Sequence, residues 1–253
     1  MEGQKTMIAI VLVGGKQSLV SELHPELPTP LFPVAGEHFL YWLTMWLKNQ
    51  GFTHIVFSAG HYADKVVAWV NHFALLEPSL CLDVVTESRP LGTAGATAVC
   101  AKRYPSSFTF VINGDSILLT DLNLAISKLQ MNENLDAIIL GTRITNAGRF
   151  GTLEHDEQHR LISFREKQAG KGLINAGVYL LRNELLADIN SGKELSLEYD
   201  CFPKWLADDK HIHVMNDNAP FIDIGSPHTL KRAESLITQY HSVITGQKEA
   251  MIA

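Results

Sequence analysis

Two acidic residues at the mouths of apolar strands offer the first chemistry in this chain. Asp115 follows Val111-Ile112-Asn113-Gly114, and Asp223 sits inside Phe221-Ile222-Asp223-Ile224-Gly225. A carboxylate so placed can hold Mg²⁺, which takes carboxylates together with phosphate oxygens. A lone aspartate there more often caps a turn. Two of them beside a glycine turn shift the balance toward a metal and a nucleotide. That turn is Gly14-Gly15, which ends the apolar run Ile8 to Val13. Glycines there let backbone N–H groups approach an anion closely, although a tight turn leaving a buried strand has the same appearance.

Glu87-Ser88-Arg89-Pro90-Leu91-Gly92-Thr93-Ala94-Gly95 is more specific. Its small residues let a helix N-terminus approach a flat ring or a phosphate. Glu87 is placed to accept both N–H groups on the edge of guanine, a bidentate match that adenine does not offer; a surface carboxylate beside a helix cap is the plain alternative. Arg165-Glu166-Lys167 follows a strand, where the lysine can neutralise a sugar phosphate and the glutamate can accept sugar hydroxyls, or the triplet is a solvated charge cluster. Asn175-Ala176-Gly177 interrupts an apolar strand and marks a bulge or a close backbone approach. The eleven histidines show no metal-ligand spacing, and His211 and His213 alternate as an exposed strand face would. Cys81, Cys100 and Cys201 form no CxxC pair, which gives neither a disulfide framework nor a zinc site; Cys81 and Cys100 read as small core residues.

Alternating strands and helices must position these groups. Apolar runs of strand length (8–13, 55–58, 81–86, 108–113, 137–142) alternate with helical patterns (39–47, 63–73, 93–103, 122–129), with Gly51 stopping the first helix. That alternation predicts an α/β fold, a mostly parallel central sheet flanked by helices on both faces. Ligands of such sheets bind beyond the carboxyl ends of the strands, where Gly14-Gly15, Glu87 and Asp115 would gather. The later part reads as short strands at 151–155, 160–164, 173–181 and 221–224, helices at 183–189 and 198–206, and a last helix capped by Ser226. With 253 residues, 46% hydrophobic and 19% charged, one domain over 1–253 is expected, and the net charge of −6 argues against a nucleic-acid partner. No secretory pattern or membrane-length apolar run is read, which predicts a soluble cytoplasmic protein with no membrane partner.

Taken in order, these pieces resemble the sugar-1-phosphate nucleotidylyltransferases over nearly the whole chain. The matching segments are Gly14-Gly15, Pro28-x-Pro30, Pro90 to Gly95, Asn113-Gly114-Asp115, Arg149-Phe150-Gly151, Phe164-x-Glu166-Lys167, Ile174 to Gly177, Ser196-Leu197-Glu198 and Asp223-Ile224-Gly225. Within that family the chain looks closest to guanylyltransferases acting on D-glycero-D-manno-heptose 1-phosphate. The resemblance implies a Rossmann-like, GT-A-like nucleotide-diphospho-sugar transferase fold, with a nucleotide half at about 1–135 and a sugar half at about 136–245. It implies that a nucleoside triphosphate, GTP favoured, and a sugar 1-phosphate react to give a nucleotide sugar and pyrophosphate for surface-polysaccharide precursors, and it leaves room for a homo-oligomer. It assigns Mg²⁺ to Asp115 and Asp223, the nucleotide to Gly14, Gly15, Glu87, Gly92 and Thr93, and the sugar to Asn113, Glu166, Asn175 and Glu198. Lys167 would clamp the sugar phosphate.

The first loop departs from the family motif. Where the family runs Gly-Gly-x-Gly-Thr-Arg-Leu and closes on Pro-Lys-Pro, this chain has Gly14-Gly15-Lys16-Gln17-Ser18-Leu19-Val20 and Pro28-Thr29-Pro30. Leu19 and Thr29 thus stand for the family's arginine and lysine, its clamps on the triphosphate and the transferred group. Two readings follow: a guanylyltransferase in which Lys16 partly replaces the lost cations as a catalytic residue, or a catalytically impaired relative that binds a nucleotide or sugar nucleotide in a regulatory or partner-binding role.

Overall fold

The computed structural model describes residues 8–15, 20–165, 170–189 and 193–247. Lys16, Glu166 and Lys167 lie outside the described residues, as does Leu19.

The first half builds strands and helices in turn. They are β1 (Ile8–Leu12), the small hairpin β2 (Pro33–Val34) and β3 (Glu37–His38), α1 (Phe39–Asn49), β4 (His54–Ala59), α2 (Ala63–Leu76), β5 (Cys81–Thr86), α3 (Gly92–Arg103) and β6 (Phe108–Asn113). Next come β7 (Ser116–Leu118), α4 (Leu122–Met131), β8 (Ala137–Ile144), β9 (Thr152–His155), β10 (Leu161–Arg165), β11 (Gly172–Arg182) and α5 (Asn183–Ala187). A π-helical turn at Leu197–Cys201 leads into α6 (Phe202–Ala207), followed by β12 (Ile212–Asn216), β13 (Phe221–Asp223), α7 (Pro227–Gln239) and α8 (His241–Thr245).

Strand β1 pairs in parallel with β4 on one side and β6 on the other, and β4 pairs in parallel with β5. The same sheet continues through β11, antiparallel to β6, and on to β8, β9 and β10, with β12 parallel to β8. Helices cover both faces, so β1 is apolar without a break. Ala9 and Val11 face the layer that holds Trp46 and Phe73, whereas Ile10 packs with Val56, Val85 and Cys100 on the other face. Helix ends follow local signals: Gly51 takes φ +91° just past α1, and Ser226 forms a capping box with Thr229 on α7.

Two expectations need correction. Cys81 opens the edge strand β5 and is exposed, because no strand among the described residues covers that side of the sheet. His213 lies inside β12, a strand not anticipated, and is buried. The short strands β2, β3 and β7 were likewise not anticipated, since two or three residues carry no measurable period. No helix among the described residues is long and apolar enough to cross a membrane.

Candidate functional site

After β1 the chain adds β4 and β5 on one side, then returns to place β6 on the other side of β1. The carboxyl ends of β1 and β6 therefore flank a topological switch point, where open α/β sheets form their crevice. Leu12 lies opposite Asn113 across that junction, and the Gly114 N–H donates to the Leu12 carbonyl at 2.9 Å. A methyl group at Gly114 would sit 2.8 Å from the same carbonyl oxygen. Glycine at 114 thus brings the loop carrying Asp115 against the end of β1.

A cavity of about 730 Å³ opens there, lined among others by Asn113, Asp115, Arg149, Asn175 and Asp223. The two aspartates come from opposite halves of the chain, and the two-stranded ladder of β7 and β13 holds them together. In its register Asp223 faces Ser116, and the Ile224 N–H donates to the Asp115 carbonyl at 3.1 Å. Burial and then the nearby Asp223 charge push the Asp115 carboxyl up to about 6, with the Arg149 guanidinium acting in the opposite sense. Arg149 pairs with Asp223 at 3.2 Å and donates to the Ser226 hydroxyl at 2.8 Å, so it is fixed beside the carboxylates. The donor set fits a hard divalent cation: two carboxylates converge, and their mutual repulsion is what such an ion would offset.

Asn175 lies at the bulge of β11 and lines the cavity together with Asn113. The Asn175 amide donates to the Tyr179 hydroxyl at 2.6 Å while its oxygen accepts the Gly177 N–H at 3.0 Å. Gly177 has φ +71°, and a methyl there would lie 2.5 Å from the Asn113 amide nitrogen. The interruption seen in the sequence is this bulge, and it lets the Asn113 side chain lie against backbone.

Gly14, Gly15, Glu87, Gly92 and Thr93 line a different cavity, of about 780 Å³. Asp115 is not in its lining, so the expected gathering divides between two cavities. A methyl at Gly14 would fall 2.7 Å from Glu87 Oε1, which packs the glycine turn directly on that carboxylate. Glu87 accepts the Leu91 N–H at 3.1 Å and the Ser58 hydroxyl at 3.3 Å. Burial pushes its carboxyl up, these two hydrogen bonds pull it back, and Glu194 nearby raises it further. Gly92 has φ +70° and presses on the Leu195 carbonyl, 2.3 Å from where a methyl would be. Thr93 accepts the Leu197 N–H at 2.8 Å and donates to Glu198 at 3.0 Å. Glu198 also accepts from the Tyr179 hydroxyl at 2.6 Å and the Ser196 hydroxyl at 2.7 Å, and it lies outside the linings of both cavities.

Sequence reasoning gave Arg149 no role of its own. Its signal was the triplet Arg149-Phe150-Gly151, but its partner Asp223 is 74 residues away. Arg89 and His61 also face the second cavity.

Comparison with known proteins agrees with this geometry. A family model described as nucleotidyl transferase matches residues 8–240. A D-glycero-alpha-D-manno-heptose 1-phosphate guanylyltransferase of Campylobacter jejuni is 30% identical, over 87% of this chain and 96% of its own. The enzyme of the same name from Aneurinibacillus thermoaerophilus is 27% identical over 92% of this chain and 100% of its own. A mannose-1-phosphate guanylyltransferase of Mycobacterium tuberculosis is 30% identical over 90% of this chain, which spans 63% of that longer protein. Among solved structures, HddC from Yersinia pseudotuberculosis complexed with GMP-PN superposes with a TM-score of 0.79 at 28% identity, covering 91% of this chain and 99% of that one.

Proposed function

The chain belongs to the nucleotidyl transferase family, and from that premise we propose that it transfers a guanylyl group from GTP to a sugar 1-phosphate of the manno-configured heptose or mannose class. A phosphate oxygen of the sugar 1-phosphate bonds to the α-phosphorus of the triphosphate, the bond from that phosphorus to the pyrophosphate oxygen breaks, and a GDP-sugar and pyrophosphate result. One observation carries the reading: Asp115 and Asp223 converge, with Arg149 fixed beside them, at the switch point of the sheet.

Mg²⁺ held by Asp115 and Asp223 would supply Lewis-acid neutralisation of phosphate charge. This chain's own residues do the rest. Gly14 and Gly15 leave room for the nucleotide, and Glu87 faces the cavity with its Oε1 against Gly14, placed to accept guanine N–H groups. Gly92 and Thr93 fix the start of α3 to residues 195–198, which shapes the far wall of that cavity. Asn113 and Asn175 offer amide groups to sugar hydroxyls in the first cavity, where Arg149 can meet a phosphate. Glu198 acts on the sugar side through Tyr179 and Asn175. We assign Lys167 to the sugar phosphate, Glu166 to sugar hydroxyls and Lys16 to the charge that Leu19 and Thr29 no longer carry. The nucleotide then occupies the half up to about 135, the sugar the half from about 136 to 245, and the carboxylate pair bridges them. We place the reaction in the cytoplasm, where nucleoside triphosphates are available.

The test is pyrophosphate release with GTP, Mg²⁺ and a panel of sugar 1-phosphates, run beside Asp223→Asn and a Leu19→Arg/Thr29→Lys variant. Release that requires the sugar phosphate and is lost in Asp223→Asn supports transfer. If only the double variant releases pyrophosphate, the native chain is a binder, and the retained carboxylate pair would then need another explanation.

A further inference from the structure

At the opposite end of the parallel strands from both cavities, three side chains of metal-binding type meet. His54 opens β4 and Cys81 opens β5, and the two are direct partners in the parallel register. Asp83 follows Cys81 by two positions, so both point to the same face of the edge strand. One ligand atom from each of the three lies within 4.8 Å of the others. His54 Nε2 already shares a 2.8 Å hydrogen bond with Asp83 Oδ2. The Tyr104 ring stands edge-on to the imidazole at 5.2 Å and backs it from the end of α3. His54 is half-buried and Cys81 exposed, so an ion would reach the cluster from solvent without opening the fold.

We propose that His54, Cys81 and Asp83 form a second metal site, for a soft divalent ion of the Zn²⁺ or Co²⁺ type, separate from the carboxylate pair of the reaction site. The ligand chemistry sorts the two ions. A thiolate with an imidazole suits Zn²⁺ or Co²⁺ and is a poor donor to Mg²⁺, whereas Asp115 and Asp223 offer hard oxygens alone. Three protein donors leave a fourth tetrahedral position to water. Burial and the Asp83 charge push the Cys81 thiol up, so coordination forms the sulfur–metal bond and releases the thiol proton to solvent. The ion would tie the edge strand β5 to β4.

The test is titration of the full reduced chain with Co²⁺, read by absorption. The expected result is one equivalent giving a thiolate-to-cobalt charge-transfer band in the near ultraviolet, displaced by Zn²⁺ and unchanged in Asp223→Asn. Cys81→Ser should abolish the band. His54→Ala and Asp83→Asn should each weaken binding by at least the roughly 10–100-fold that loss of an outer-shell partner costs. Circular dichroism of each variant separates a lost site from a lost fold, and Asp83→Asn, which keeps the shape of the side chain, serves if Cys81→Ser misfolds. Absence of the charge-transfer band in the parent overturns the site, as does a band whose affinity survives both His54→Ala and Asp83→Asn. Neither outcome bears on guanylyl transfer, which the pyrophosphate assay reads independently.

Discussion

Asp115 is a residue the fold holds at a cost. Its carboxyl is raised from its ordinary value to about 6, so the native state binds its proton more tightly than the unfolded chain does. Between the unfolded and folded values, deprotonation therefore removes stability as pH rises, and at neutral pH the ionised Asp115 is a net strain on the metal-free protein. Asp115→Asn should raise the melting temperature of the metal-free chain at pH 7 while lowering kcat for pyrophosphate release by roughly 10²–10³, the loss of several kcal/mol of transition-state charge stabilisation. A calorimetric scan beside the rate assay checks both signs, and a lower melting temperature would make the residue structural. Gly92 gives the opposite pattern. Its positive φ and the Leu195 carbonyl leave no space for a side chain, so Gly92→Ala should cost at least about 1–3 kcal/mol in urea unfolding and pull residues 195–198 off α3. Both roles were partly readable from residue types, since an aspartate after an apolar strand and a glycine before a helix each announce a special position. The use of Thr93 and Glu198 was not: their bond spans 105 residues, and nothing local encodes it.

At the scale of elements, two short strands do more for the site than their length suggests. Among the described residues β7 and β13 pair only with each other, yet their register is what brings Asp223 opposite Ser116, one residue from Asp115. β13 was read as a short strand at 221–224, but three-residue β7 carries no period that sequence patterning can detect, whereas β5 and β6 were read with their observed bounds because six-residue apolar runs end in clear turn signals. β12 was missed for a related reason: its alternation suggested a solvent-facing histidine row, but parallel pairing with β8 buries His213 instead. Burial first, then Lys128 and the neighbouring histidines, lowers the His213 imidazole to about 4. The unfolded chain then binds more protons than the native one, so stability is intact above the ordinary histidine value near 6.5 and is lost as pH falls through about 4. Urea unfolding should show a loss approaching about 1.4 kcal/mol per pH unit in that window, and His213→Asn should flatten it. In β11, Tyr179 links Asn175 to Glu198 through its buried hydroxyl. Tyr179→Phe leaves that carboxylate oxygen short of a donor and should cost about 1–3 kcal/mol, read in the same denaturation series.

The whole molecule poses an electrostatic problem that its parts do not. If it works as proposed, a chain of net charge −6 must draw in a triphosphate and a sugar phosphate, and its first loop has Leu19 and Thr29 where the motif it resembles has arginine and lysine. The overall architecture was open to sequence reading, because the βαβ alternation of the first half implies parallel strands and hence a switch point between β1 and β6. The second half was harder, since the antiparallel pairings of β11 with β6, β8 and β9 join segments far apart in the chain. Charge is where the two halves meet: one carboxylate from each side faces the same cavity, and Arg149 offsets only part of the pair. Binding of an anionic nucleotide in this frame should therefore depend on a divalent ion more steeply than in a relative with a cationic loop. A non-hydrolysable GTP analogue at about 100 times its Kd with Mg²⁺ would add roughly 2.7 kcal/mol, a rise in melting temperature of about 5–10 °C for a chain of this size. Chelation with EDTA should remove most of that rise in the native chain. In Asp115→Asn/Asp223→Asn the metal-dependent part should already be missing, so EDTA changes little. In Leu19→Arg/Thr29→Lys the restored cations should preserve much of the rise without metal. Equal sensitivity to EDTA in the native chain and the Leu19→Arg/Thr29→Lys variant would show that the loop substitutions do not set the charge balance of the site, and Lys16 would lose its role as their replacement.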